Sequence, residues 1–195
     1  MENEARPLLE IRNLTTRFHT RSGMLNAVDD VSISVKKGEI VGIVGESGCG
    51  KSVTSLSVLR LISAPGEISG GSILLDGEDI LSKTDRQMHG IRGKDISMIF
   101  QEPMTSLNPV YTVGRQIAEN FLIHNPPPGR PQAGAPVSLP TDLQAHRQTR
   151  KRAREEAIRM LGLVGIPEPE SRFDTYPHQL SGGLRQRVMI AMALA

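Results

Sequence analysis

The sequence predicts an α/β fold with a parallel sheet, and three consecutive stretches carry that expectation. Ile40–Val44, IVGIV, is a short β-rich run apolar on both faces, as a central parallel strand should be. GESGCGKS follows it directly, and VTSLSVLRLI then sets Val53, Leu56, Leu59 and Leu61 at helical spacing. A buried strand that passes through a Gly-rich loop into a helix is a recurrent α/β unit.

The remaining elements are placed around that unit. Leu9, Ile11 and Leu14 begin an alternating apolar pattern, and Val31, Ile33 and Val35 continue one before Lys36-Lys37-Gly38; both read as strands with one buried face. Gly71–Ile80 reads as a strand entering an Asp-Gly turn, and Ile96–Phe100 as another buried strand. From Pro103 to Leu180 the pattern changes to helical pieces separated by proline. Within it, Asn125–Pro140 is Pro/Gly/Ala-rich and reads as a surface excursion. Arg147–Val164 reads as an amphipathic helix with Ala153, Ala157, Ile158, Leu161 and Val164 on one side. The basic run His146–Arg154 is expected to be a solvated helix face, with Lys151/Glu155 and Arg152/Glu156 one turn apart. A phosphate or lipid contact is the other reading of that run.

Composition limits the function classes. With 38% hydrophobic and 23% charged residues over 195 positions, this is the composition of a globular protein with a real core. A net charge of +2 is too small to argue for nucleic acid or an anionic membrane, and six Phe and Tyr give no base-stacking platform, so no nucleic-acid partner is expected. No apolar run approaches the ~20 residues needed to cross a bilayer, and the acidic start MENEARPLLE has no secretory signal pattern. The single Cys49 excludes an internal disulfide and a Cys-based metal cage.

Gly45-Glu46-Ser47-Gly48-Cys49-Gly50-Lys51-Ser52 fits G-x-x-x-x-G-K-[ST], in the strand-to-helix context that gives the pattern meaning. A polyphosphate needs donors that converge from one side. Glycine lets the backbone wrap tightly enough for its N–H groups to do so. The helix that follows aims its unsatisfied N–H groups and positive dipole end at the same charge. Lys51 is assigned to the β- and γ-phosphates, and the Ser52 hydroxyl to Mg²⁺, which prefers oxygen ligands. Cys49 fills a variable slot of the loop. The loop predicts a bound nucleotide, and by itself fits small GTPases, nucleotide kinases and recombination ATPases equally.

Leu180–Arg187, LSGGLRQR, separates them, since it resembles the LSGGQ signature of the ATP-binding subunits of ABC transporters. Leu184 stands where Gln is commonest, which resembles the oligopeptide/dipeptide importer branch. Met98–Ile117, MIFQEPMTSLNPVYTVGRQI, resembles the Q-loop region of that branch, and Gly165–Ala195 its approach to the signature. The likeness runs from about Leu8 to the end, apart from Asn125–Thr149, which reads as a private insertion.

The resemblance implies an ABC ATPase core with a parallel sheet, an antiparallel amino-terminal β part and a helical subdomain, the carboxy-terminal strands missing. It divides the chain into core residues 1–102, helical subdomain 103–180 with the insertion at about 125–149, and a signature helix 181–195. It implies that Phe18 stacks on adenine, with His19 as the fallback, and that Gln101 reaches Mg²⁺ or its water. Ser181, Gly182 and Gly183 would close on ATP held by a second ATP-binding subunit in a head-to-tail dimer. Pro103 to Pro109 would face transmembrane permease subunits, served in turn by a periplasmic or extracellular solute-binding protein. The work would be done peripherally, at the cytoplasmic face of the membrane.

In this family an apolar strand ending in Asp, then a catalytic Glu and later a switch His, follows the signature helix. Here the last carboxylate is Asp174 and the last histidine His178, both upstream of it, so no catalytic carboxylate of that kind is present. The expectation is a fragment of a longer peptide-importer ATPase, inactive by itself. It would leave apolar surface on Ile40–Val44 and Val188–Leu194. A non-hydrolysing nucleotide-binding module is the alternative. A GTPase is disfavoured, because no N-K-x-D motif is present.

Overall fold

The computed structural model describes residues 6–101, 106–125 and 143–195, with side chains from 147 onward in the last stretch. The chain forms two compact units divided after Met88.

The first unit is built on a four-stranded antiparallel sheet in the order β2-β1-β3-β4, formed by β1 (Leu9–Thr20), β2 (Gly23–Val35), β3 (Gly66–Leu75) and β4 (Glu78–Asp79). The expected alternation is interrupted between Ile11 and Leu14, and the register shifts there on both sides of β1. Asn13 takes φ +49° at this bulge and ties it to the neighbouring strand, donating from Nδ2 to Asp30 Oδ1 at 2.7 Å. The extra residue restores parity, so Ile11, Leu14 and Thr16 all stay buried. The Asp76-Gly77 turn between β3 and β4 has φ +47° and +75°, as a tight two-residue hairpin requires.

Helix α1 (Lys51–Val58) lies against this sheet. Thr16 and Ser57 are both 0% exposed and share a hydrogen bond at 2.9 Å, while Ser57 Oγ donates to Val53 O at 2.7 Å. The short helix α2 (Asp85–Ile91) runs across the division between the units.

The second unit is helical. Helices α3 (Val113–His124), α4 (Leu143–Leu163) and α6 (Gly182–Leu194) enclose a core that includes Val113, Ile117, Ala157, Leu161, Val188 and Ala191. The one-turn helix α5 (Pro169–Arg172) lies between α4 and α6. The expected apolar side of α4 is partly right: Ala153, Ala157 and Leu161 are buried, with Met160 joining them, while Ile158 and Val164 are half-buried. Gly165 ends the helix at φ +72°, where Gly165 N donates to Gly162 O and Ile166 N to Leu161 O.

Three sequence expectations need correction. Ile40–Val44 and Ile96–Phe100 do not form strands; the parallel pairing among the described residues is a single bridge between Arg92 and Ile96. A strand apolar on both faces is stable only with neighbours covering both. Here Ile40 is 98% and Val44 96% exposed, as expected of uncovered surface, and Ile99 and Phe100 are 46% and 42% exposed. Val188, Met189 and Ala191 instead face the helical core, so of the stretch expected to be apolar surface only the end, at Leu194, is exposed. Glu156 does not pair with Arg152. Arg159 takes both of its oxygens at 2.6 and 2.9 Å, and that hydrogen bond holds the Glu156 carboxyl below its usual range. The Lys151–Glu155 pair is present at 3.8 Å. Of the Pro/Gly-rich excursion, residues 126–140 lie outside the described residues.

Thr16 and Ser57 yield a stability test. Ser57→Ala leaves the buried Thr16 hydroxyl without its partner and should cost about 1–3 kcal/mol. Thr16→Val leaves Ser57 still bonded to Val53 O and should cost about 1 kcal/mol or less. Urea midpoints at constant slope would measure both, and equal costs would contradict the assignment.

Candidate nucleotide site

The Gly45–Ser52 loop lies in the first unit and is exposed from Gly45 to Cys49. Two glycines turn it, Gly48 at φ +85° and Gly50 at φ +93°. Gly50 is the N-cap of α1 and supplies no side-chain cap. A Cβ there would sit 2.3 Å from the carbonyl oxygen of Ala27 in β2 and 3.5 Å from Val28 Cγ2. The sheet therefore fixes where the helix begins, and only glycine fits between them.

The amino end of α1 is thus left open. Its first N–H groups have no intrahelical acceptor, and together with the helix dipole they favour an anion. The Lys51 ammonium folds back over the loop, donating to Gly45 O at 2.7 Å, Glu46 O at 2.6 Å and Cys49 Sγ at 3.4 Å. Those are exchangeable contacts of a mobile point charge in an exposed loop. A Cβ on Gly45 would lie 2.6 Å from Cys49 Sγ, so a side chain there would require the exposed Cys49 thiol to shift. Backbone donors, a cation held only by exposed loop contacts and an exposed Ser52 hydroxyl fit a magnesium-bound polyphosphate.

Phe18 lies in β1, opposite Leu25 of β2 and Gly66 of β3, and is half-buried. Its ring covers Gly66, where an added Cβ would meet Phe18 Cε1 at 2.5 Å and Ile62 Cγ2 at 2.8 Å. The ring therefore combines a packed side with an accessible remainder. His19 is exposed and lies 3.5 Å from Glu67, whose carboxyl the Arg17 guanidinium holds below its usual range.

The other sequence-predicted residues belong to the second unit. Gln101 is exposed at a bend. Residues 103–105 of the expected permease-facing segment lie outside the described residues. Its remainder is braced by Gln116, a residue the sequence reading missed: Gln116 is 6% exposed, accepts from Asn108 N at 2.9 Å and donates to Asn108 O and Tyr111 O at 3.0 Å. A polar residue on the apolar side of an otherwise amphipathic helix was the available signal.

Ser181 caps α6, accepting from Leu184 N at 3.4 Å. Ser181, Gly182 and Gly183 are exposed, and a Cβ on either glycine would meet nothing within 4 Å. These glycines are therefore not demanded by packing. The basic residues that follow fasten the turn: Arg185 Nε donates to Pro177 O and Leu180 O, both at 2.9 Å, and Arg187 donates to Val164 O and Gly165 O at 3.0 and 2.8 Å.

Comparison with known proteins agrees with this construction. A family model described as "ABC transporter" matches residues 28–195. The chain is 48% identical over 189 residues to a probable peptide ABC transporter ATP-binding protein, y4tR, of Sinorhizobium fredii, covering 96% of this chain and 50% of that one. It is 46% identical over 188 residues to the dipeptide transport ATP-binding protein DppD of Escherichia coli, covering 96% and 51%. The chain spans about half the length of these curated relatives. Among solved structures, the dimeric bacterial ABC transporter cassette MJ0796 superposes with a TM-score of 0.74 at 24% identity, over 96% of this chain and 69% of that one. The same cassette in a post-hydrolysis state bound to ADP and Pi gives 0.72, also at 24% identity. That likeness shows the fold, that of the ABC ATPase cassette. With the family match extending from Val28 through the phosphate loop to the helix after Ser181, the chain belongs to the ABC transporter family.

Proposed function

We propose that this chain is the ATP-binding part of a subunit that couples ATP binding and hydrolysis to the import of peptides, or related small solutes, through an ABC transporter. The observation that carries the reading is the open amino end of α1 at Gly50, with the Lys51 ammonium beside it, in a chain 48% identical to a probable peptide ABC transporter ATP-binding protein. In this reading the protein works peripherally at the cytoplasmic face of the membrane. No helix among the described residues is long and apolar enough to cross it.

Gly45, Ser47, Gly48, Cys49 and Gly50 would line the phosphates with backbone N–H groups, Lys51 would leave the loop carbonyls for the β- and γ-phosphates, and the Ser52 hydroxyl and the Gln101 amide oxygen would each serve as a ligand for Mg²⁺. Phe18 takes the adenine. Mg²⁺ held there would supply neutralisation of phosphate charge, and with it electrophilic assistance to cleavage. Ser181, Gly182 and Gly183 meet the nucleotide of a second ATP-binding subunit in a head-to-tail dimer; their exposure and freedom from packing demands support that role. Core 1–102, helical part 103–180 and signature helix 181–195 divide the work. The Pro103 to Pro109 segment passes closure to permease subunits, with a periplasmic or extracellular solute-binding protein delivering the solute.

Lys51→Ala should weaken ATP binding by on the order of 10- to 100-fold, the worth of a lost charge-assisted contact. Titration calorimetry would measure it, and unchanged affinity would remove the cradle. Gly50→Ala should abolish ATP binding and lower the melting temperature. Gly48→Ala carries the positive-φ strain of ~1–2 kcal/mol without the Ala27 clash and should melt higher than Gly50→Ala. Equal melting temperatures would contradict the steric argument.

A further inference from the structure

Helix α4 carries a concentration of positive charge that the nucleotide chemistry does not use. Between Arg147 and Arg159 lie six Arg or Lys and two Glu, in a chain whose total net charge is only +2. Arg147, Arg150, Lys151 and Arg154 stand at i, i+3, i+4 and i+7, so one face presents four cations over about 10 Å of helix. All four are exposed.

Carboxylates do not quench this face. Glu156, one turn from Arg152, is turned away and taken by Arg159. Glu155 reaches Lys151 at 3.8 Å and Asp174 reaches Arg154 at 3.8 Å, both long contacts between side chains at least half exposed. Such pairs are worth little in water. Arg147 and Arg150 have no acidic partner among the described residues. Arg154 also rests on the Phe173 ring at 4.6 Å, which steadies its guanidinium without neutralising it.

We propose that this face of α4 docks on the anionic headgroups of a lipid bilayer and holds the protein against the membrane. The choice of membrane rests on the peripheral ATPase reading above. Coulombic attraction from clustered Lys and Arg is the chemistry that recognises such a surface. Nucleic acid fits less well, because α4 has no Phe, Tyr or Trp for stacking bases and the rest of the chain has no net positive charge to steer a polyanion. The helix adsorbs without inserting, because its apolar side, at Ala153, Ala157, Met160 and Leu161, is already committed to the core. Docking is therefore purely electrostatic and sensitive to salt.

The test is co-sedimentation of the full chain with vesicles of phosphatidylcholine alone or mixed with phosphatidylglycerol, with ATP binding measured in parallel. Partitioning should favour the anionic vesicles by at least about tenfold. It should vanish near 0.5 M salt, where screening acts over roughly 4–5 Å. The combined Arg147→Gln, Arg150→Gln, Lys151→Gln and Arg154→Gln variant should lose it, while Arg147→Lys, Arg150→Lys and Arg154→Lys together should keep it. Both variants should bind ATP as the unaltered chain does. Equal binding to the two vesicle types, an unaffected glutamine variant, or tighter binding to single-stranded RNA than to anionic vesicles at matched charge would each overturn the proposal. Failure of the unaltered chain to bind ATP would instead strike the transport ATPase reading and leave the vesicle result standing.

Discussion

Gly50 sits where the backbone must turn through a positive φ and where any Cβ would strike the Ala27 carbonyl. That contact locks the first residue of α1 to β2. At the other end of the helix, Ser57 is bonded to Thr16 of β1 inside the protein. One short helix is thus held at both ends by one hairpin, and its open amino end points where the sheet directs it. Phe18 follows Thr16 by two residues, so the same strand that anchors the helix also presents the aromatic ring. The arrangement ties the position of the phosphate loop to sheet register, and a slip of one residue in β1 would disturb both anchors.

The antiparallel part was legible because one-sided burial leaves an alternating record. Ile11, Leu14, Val31 and Ile33 signalled β1 and β2 correctly, and Asp76-Gly77 marked its turn. The bulge at Asn13 was not legible, since its cause is a three-dimensional tie to Asp30 and not a periodicity. Ile40–Val44 and Ile96–Phe100 were misread as formed strands for an instructive reason. Their composition reports an environment covered on both faces, and composition cannot say whether the cover is at hand. The exposure of Ile40 and Val44 is the physical form of that gap. Val188 and Ala191 failed in the opposite sense, because the helical unit buries them by itself.

At the candidate site the motif spacing located one loop and one capped helix, and the family match accounts for both. The spacing could not reveal what holds them. Ala27 acts through a backbone carbonyl, which carries no side-chain signature. Gln116 acts through three bonds to Asn108 and Tyr111, visible only once α3 is folded. Arg185 and Arg187, within the signature stretch, are carbonyl clamps for the turns at Leu180 and Gly165. Of the two pairs expected on the solvated face of the basic run, Lys151–Glu155 is present and Arg152–Glu156 is not, because Arg159 takes Glu156.

Cys49 offers the most direct test that the loop receives a nucleotide, because its thiol is exposed and lies 3.4 Å from the Lys51 ammonium. The rate of its alkylation by a maleimide should fall severalfold when magnesium ATP is bound, and return to the free rate in Lys51→Ala. Equal rates with and without ATP, at concentrations that saturate a micromolar site, would contradict the cradle and with it the reading built on Gly50.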